Sequence, residues 1–152
     1  MKIKLDDVIE QIDFASESNK SYFNKNTGEI HLIPDEVEFY ADEDSEDDFF
    51  PGWEKELISI VKDIQKNPDN YIQLPEQYDI HEYSIMERFC LSLSSEEFKD
   101  IMYASIKGNG AFQRFKNNIN RYGIVDNWYK YKDDAFRKIG IEWCEENGIE
   151  YY

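Results

Sequence analysis

A chain of 152 residues with 17 Lys and Arg against 33 Asp and Glu carries a formal charge of −16, and its length is that of about one domain. With 41% hydrophobic and 16% aromatic residues it is equipped to bury a core, which excludes a disordered acidic tail. No apolar run approaches the roughly 20 residues of a membrane span, the opening Met1–Asp7 lacks the apolar stretch of a secretory signal, and two cysteines, Cys90 and Cys144, are too few for a disulfide framework or a four-cysteine zinc site. A soluble, cytoplasmic protein with no membrane partner is the expectation.

Leu5, Val8, Ile9 and Ile12 recur at helical spacing and predict a helix over Leu5–Phe14. A strand over Lys20–Lys25, turn residues Asn26-Thr27-Gly28 and a second strand over Glu29–Ile33 predict an antiparallel hairpin, closed by Pro34. Asp42–Asp48 holds six acids in seven residues and reads as a solvated acidic loop spanning about 42–50. A helix then starts at Pro51-Gly52, with Trp53, Leu57, Ile60, Val61 and Ile64 on one face, and stops at Asn67-Pro68. Tyr71–Leu74 is an extended piece halted by Pro75 and a candidate third strand.

The remainder reads as helices. Asp79 is expected to cap one whose apolar face is Ile85, Met86, Phe89, Cys90 and Leu93. Ser94 and Glu97 match a capping box and open a helix to Lys107 that ends at Gly108. Gly110–Tyr122 and Asp126–Asn147 follow, ended by Gly123 and Gly148. The fold class is α+β: a mostly α-helical single domain over 1–152 with a small N-terminal antiparallel hairpin.

Charge is unevenly distributed. Lys107–Lys138 contains eight basic residues and three acids, a net +5, so the rest of the chain carries −21. Overall acidity opposes general affinity for nucleic acid or anionic membranes, yet a local basic surface acts within a Debye length of about 8 Å. Either the acidic loop neutralises that surface within the molecule, or the surface is left for a partner.

Phe112, Phe115, Ile119 and Tyr122 share one arc of the 110–122 helix; Arg114 and Arg121 line one flank and Lys116 the other. This describes a core helix with basic residues at its rim, or an anion clamp of Arg114 and Arg121 beside Gly108-Asn109-Gly110, where free amides at the helix start also favour an anion. In the last helix Trp128, Phe136, Ile139 and Trp143 form the apolar stripe, with Lys132 inside it four residues from both Trp128 and Phe136. That lysine is a snorkelling stem, a cation–π partner or the inward charge of a ligand pocket. Tyr129 and Tyr131 flank the stripe, and aromatic residues interleaved with basic ones also suit stacking on exposed bases.

No phosphate-binding loop or nucleophile elbow is present. The acidic run lacks the glycine and terminal glutamate of an EF-hand, and His31 and His81 have no metal-ligand spacing with each other or with the cysteines. No catalytic residue, metal or cofactor is therefore assigned.

Thr27-Gly28-Glu29-Ile30, Tyr83–Phe89, the string Gly108-Asn-Gly110-Ala-Phe112-Gln-Arg114-Phe115-Lys116, Trp128-Tyr129 and the ending Glu142–Ile149 occur in an order that resembles the bacterial proteins grouped as uncharacterised protein family 0158, over about Leu5 to Ile149. The resemblance implies a bacterial single-domain protein and brings no activity with it. It singles out Gly108, Gly110, Phe112, Arg114, Phe115, Lys116, Trp128 and Tyr129, to which the residue patterns add Arg121 and Lys132. The leading expectation is a non-enzymatic binding or regulatory module whose basic–aromatic surface over 107–138 and acidic face engage another protein. The alternatives are a small nucleic-acid-associated protein, with Arg114, Arg121, Lys130 and Arg137 on phosphates, and an enzyme whose site assembles from dispersed carboxylates and histidines.

Overall fold

The helix predicted over Leu5–Phe14 forms over those residues as α1, because Leu5, Val8, Ile9 and Ile12 are all buried and Asp6 and Asp7 sit in the first turn, where the helix dipole favours negative charge. It belongs to a computed structural model that describes residues 2–42 and 52–152. Most of the expected acidic loop lies outside the described residues. The chain is a mostly helical α+β protein, as expected.

Two strands flank the hairpin turn, β2 (Asn19–Asn24) and β3 (Ile30–Pro34), in antiparallel register with Tyr22 opposite His31 and Phe23 opposite Ile30. The turn is organised by Asn24, whose side-chain oxygen accepts from the amides of Asn26 at 2.8 Å and Thr27 at 3.3 Å. The candidate third strand forms as β4 (Tyr71–Gln73), pairing antiparallel with the other edge of β2, so the sheet order is β3-β2-β4. A second, two-stranded sheet was not anticipated. In it β1 (Lys2–Ile3) runs parallel to β5 (Glu150–Tyr151), extended by bonds from Leu5 N to Tyr152 O at 3.0 Å and from Tyr152 N to Ile3 O at 3.1 Å. Two-residue strands carry too little periodicity to be read from sequence.

A helix that the sequence reading left out, α2 (Asp35–Asp42), follows Pro34 directly. Its Val37 joins Ile33 with Ile58 and Val61 of α3 (Gly52–Lys66) in one buried cluster, against which Tyr22, Leu57 and Ile60 pack. Asp35, Glu36 and Glu38 occupy its first turn, where the helix dipole favours negative charge.

After β4 come α4 (Gln77–Ile80), α5 (Glu82–Leu91), α6 (Glu96–Ser105), α7 (Ala111–Arg121) and α8 (Val125–Glu146). Two expected caps move. Asp79 lies inside α4, where its carboxylate accepts from Glu76 N at 3.1 Å, and the residue before α5 is His81, with φ 54°. The cap of α6 is Ser95 rather than Ser94, its hydroxyl accepting from Phe98 N at 3.3 Å. At the end of α8, Ile149 N bonds Cys144 O at 2.8 Å and Gly148 N bonds Glu145 O at 3.2 Å. This C-cap needs the left-handed φ of 66° that Gly148 adopts, and it releases the chain into β5.

The described residues group into two compact units. The first holds residues 1–80 and 139–152, and its core includes Val8, Ile12, Phe23, Ile33, Leu74 and Trp143. Within it, Gly140 of α8 has no side chain to part it from α1: a Cβ there would lie 3.3 Å from Leu5 Cδ1 and 3.4 Å from Val8 Cγ1. The second unit holds residues 81–138. Phe89, Phe115 and Trp128 meet edge to face at its centre, with centroid separations of 6.1, 5.4 and 4.8 Å.

Candidate functional site

The segment with excess positive charge lies in the second unit, and its structure sorts the candidate residues by exposure. Phe115 and Trp128 are buried in the aromatic core, so neither ring is available for stacking on a ligand. Phe112 and Tyr129 stand outside it, 50% and 56% exposed. The arc of α7 that buries Ala111, Phe115 and Ile119 stops short of Phe112, one residue round the helix. Lys116, one turn on from Phe112, is exposed beside it.

Gly108 and Gly110 both take left-handed φ, 77° and 78°, in the turn between α6 and α7. Gly110 has a second reason to be glycine, since a Cβ would stand 3.0 Å from Arg114 Nη1. That guanidinium is turned inward on the turn. Arg114 Nε donates to Ser105 O at 2.6 Å, Nη2 to Lys107 O at 2.5 Å and Nη1 to Asn109 O. Three of its five N–H donors are thus bound to main-chain carbonyls at the end of α6 and in the turn beyond. Of the two readings of this pair, the geometry does not assemble the clamp: Arg114 closes a loop, and Arg121 lies exposed at the far end of α7, its guanidinium carbon 5.7 Å from the Tyr122 ring.

Lys132 resolves as a cation–π partner, its Nζ 5.4 Å from the Tyr129 ring and 5.6 Å from the Phe136 ring. Lys107 Nζ sits 3.7 Å above the Tyr103 ring. The bond to Tyr103 is the main cause that lifts this ammonium above the usual lysine range, and Tyr83 and Glu87 add to it. The outcome is an exposed set of aromatic rings, Phe112, Tyr122 and Tyr129, each with a basic side chain beside it or one turn away. Among the described residues Lys116, Lys130 and Lys138 form no ion pair.

The two thiols are buried, and burial raises both, Cys90 to about 11. They are protonated at neutral pH and thus poor nucleophiles. His31 Nε2 lies 3.8 Å from Glu29 Oε2 at a cavity of about 610 Å³ in the first unit, which Lys2, Lys4, Asp7 and Glu10 also line. No group of three or more His, Cys, Asp and Glu among the described residues could hold a metal ion, and no helix among them is long and apolar enough to cross a membrane.

Sequence reasoning missed a second concavity in the first unit. Gln73, Leu74, Pro75, Glu76 and Asp79 face Ile139, Glu142, Trp143 and Glu146 of α8 across a groove of about 600 Å³. The available signal was the pair Glu142 and Glu146, four residues apart in the last turns of a long helix, where negative charge is disfavoured.

The family described as Uncharacterised protein family (UPF0158) matches this chain over residues 1–152. A similar protein is the UPF0158 protein PA5073 of Pseudomonas aeruginosa, 17% identical over 88 residues, a stretch that covers 57% of this chain and 58% of that relative's length. No solved structure matches the chain.

Proposed function

Because the chain belongs to the uncharacterised family UPF0158, whose name carries no activity, we propose from its own surface that it is a non-enzymatic binding module in which the exposed basic and aromatic side chains of α7 and α8 engage an acidic segment of another protein. The observation that carries this reading is the exposure of Phe112, Tyr122 and Tyr129 beside cationic side chains in a segment of net charge +5. Aromatic rings left in water next to basic groups are the material of interface anchors, where arginine and aromatic residues carry most of the binding energy. An acidic segment would neutralise the patch, while the rings cover apolar surface on the partner.

A short acidic segment fits better than an extended nucleic acid. Duplex phosphates place one charge about every 1.7 Å along the axis and run well beyond a Debye length, so they would meet the −21 carried by the rest of the chain. Trp128, the strongest stacking ring of the segment, is buried.

Tagged full-length chain is used for capture from a bacterial lysate at low salt, with and without nuclease, alongside Lys116→Glu and Arg121→Glu variants. The expected result is a nuclease-resistant protein that the wild type retains and both variants lose with their folded amide spectra unchanged. Recovery of nucleic acid that nuclease abolishes, with affinity falling steeply in salt, would replace this reading with the nucleic-acid one. Retention by both charge-reversed variants would remove the basic surface from the mechanism.

A further inference from the structure

The chain contains two Asn-Gly pairs, Asn109-Gly110 and Asn147-Gly148. In such a pair the glycine amide nitrogen can reach the asparagine side-chain carbon, because no Cβ obstructs the approach. Both glycines take left-handed φ, 78° and 66°, so the two backbones are alike at this point. Their hydrogen bonds are not. Gly148 N donates to Glu145 O at 3.2 Å, and Asn147 Nδ2 donates to Trp143 O at 2.8 Å, which ties down both groups that would react. Among the described residues neither the Gly110 N–H nor the Asn109 side-chain amide makes a hydrogen bond, and both residues are exposed.

Arg114 adds a second difference. Its Nη1 donates to Asn109 O, the carbonyl of the very peptide unit whose nitrogen belongs to Gly110. The guanidinium lies against that unit, since a Cβ on Gly110 would stand 3.0 Å from Nη1. When the Gly110 N–H loses its proton, resonance spreads the negative charge from the nitrogen to Asn109 O. A cationic donor already on that oxygen stabilises the anion more than the neutral peptide, as donors in an oxyanion hole do. The net +5 of the surrounding segment acts in the same direction.

We propose that Asn109 is a site of spontaneous covalent modification, converting to aspartate and isoaspartate through a succinimide formed with Gly110, and that Arg114 promotes the step. Hydroxide removes the Gly110 N–H proton as water. The nitrogen then attacks Asn109 Cγ, the new N–Cγ bond closes a five-membered ring, and the Cγ–Nδ2 bond breaks. The departing nitrogen takes a proton from water and leaves as ammonia, which regenerates hydroxide. A second water opens the ring at Cγ to give aspartate, or at the main-chain carbonyl carbon to give isoaspartate. The sum is one water consumed and one ammonia released, with nothing oxidised or reduced. The isoaspartate form adds a methylene to the main chain between the Arg114 acceptors and the start of α7.

The test incubates full-length protein, folded and in denaturant, in mildly alkaline water enriched in heavy oxygen, and follows both asparagines by peptide mass spectrometry. In the folded chain, acid bearing the label is expected at Asn109 about tenfold or more faster than at Asn147, whose reaction needs a local opening. In denaturant the two rates should converge, with Asn109 slower than in the folded chain. Base-catalysed hydrogen exchange at Gly110 passes through the same peptide anion. It should run faster than in an unstructured peptide of residues 107–111, and Arg114→Ala should slow both exchange and conversion. A turn that is merely loosened can bring exchange only to the peptide's rate, so this readout separates charge stabilisation from a structural role. Equal conversion of the two asparagines in the folded chain, Gly110 exchange no faster than in the peptide, or rates unmoved by Arg114→Ala would overturn the proposal. Should Arg114→Ala not fold, the wild type decides: conversion of Asn109 no faster folded than denatured overturns it.

Discussion

The guanidinium of Arg114 donates from Nε to the carbonyl of Ser105 at 2.6 Å, nine residues back along the chain, and so closes the turn between α6 and α7 from inside. Further bonds reach the carbonyls of Lys107 and Asn109. A helix end leaves its last carbonyls without intrahelical partners, and a cation placed there also meets the negative end of the dipole.

Arg114→Ala should therefore cost stability, by about 2–3 kcal/mol for a partly exposed, charge-assisted network. Arg114→Lys keeps the charge but loses the planar fork, and should recover less than half of that. Thermal unfolding followed by circular dichroism checks both; a loss below about 0.5 kcal/mol on Arg114→Ala, within the range of ordinary surface substitutions, would show that the network is not structural.

Trp128 and Tyr129 are neighbours in sequence with opposite fates. Trp128→Ala empties a site between Phe89 and Phe115 and should cost about 3–5 kcal/mol, whereas Tyr129→Ala, at a side chain 56% exposed, should stay within about 0.5 kcal/mol. Urea unfolding of the two variants measures the difference. A neutral Trp128→Ala would return that ring to the surface.

Two tyrosines link stability to alkaline pH. Burial and then the bond to Asp63 push Tyr71 up to about 12, and burial and then Glu38 push Tyr22 higher still, both from an ordinary value of 10.0. Above pH 10 the unfolded chain gives up protons that the native state keeps. Their contribution is thus complete below pH 10 and is lost as pH rises through the native values. The same contact lowers Asp63, whose contribution is present above its ordinary 3.8 and is lost as pH falls through its native value. Tyr71→Phe should flatten both limbs, read from denaturant midpoints at pH 3, 7, 10 and 11. An unchanged slope on either side would break the link to that pair.

Gly140 marks close contact between α8 and α1. Alanine gains helix propensity of roughly 1 kcal/mol, but its Cβ would press on Leu5 and Val8 at 3.3 and 3.4 Å. Leucine cannot be accommodated in that space, so Gly140→Leu should lose about 1–3 kcal/mol by overpacking. Calorimetry of the glycine, alanine and leucine forms gives the series, and a leucine form as stable as the wild type would show that the helices part freely.

Where local patterning and burial agreed, the sequence was legible. The face Leu5, Val8, Ile9 and Ile12 is buried as its spacing predicts, and the Asn-Thr-Gly turn joins antiparallel strands. The caps slipped because Asp79, Ser94 and Ser95 all have capping chemistry, and only the path of the backbone selects among them. Helix α2 was unread because its one buried apolar anchor, Val37, packs on Ile33, Ile58 and Val61, partners that lie outside the segment. For the candidate residues, composition located the positive segment but not its orientation. Of the three roles open to Lys132, its contacts with the Tyr129 and Phe136 rings fit the cation–π one, while neither the rim nor the clamp reading of Arg114 shows that its acceptors are main-chain carbonyls, which no residue pattern displays.

By itself, then, the sequence determined the longer helices, the hairpin and the segregation of charge, because these follow from spacing within one element and from residue counts. Tertiary structure alone decided which of two adjacent aromatics is buried, where the Arg114 donors go, that Lys2–Ile3 meets Glu150–Tyr151, and that Glu76 and Asp79 share a groove with Glu142 and Glu146. Each of these depends on groups separated along the chain and brought together by packing, and periodicity within a segment carries no information about the surface it will meet.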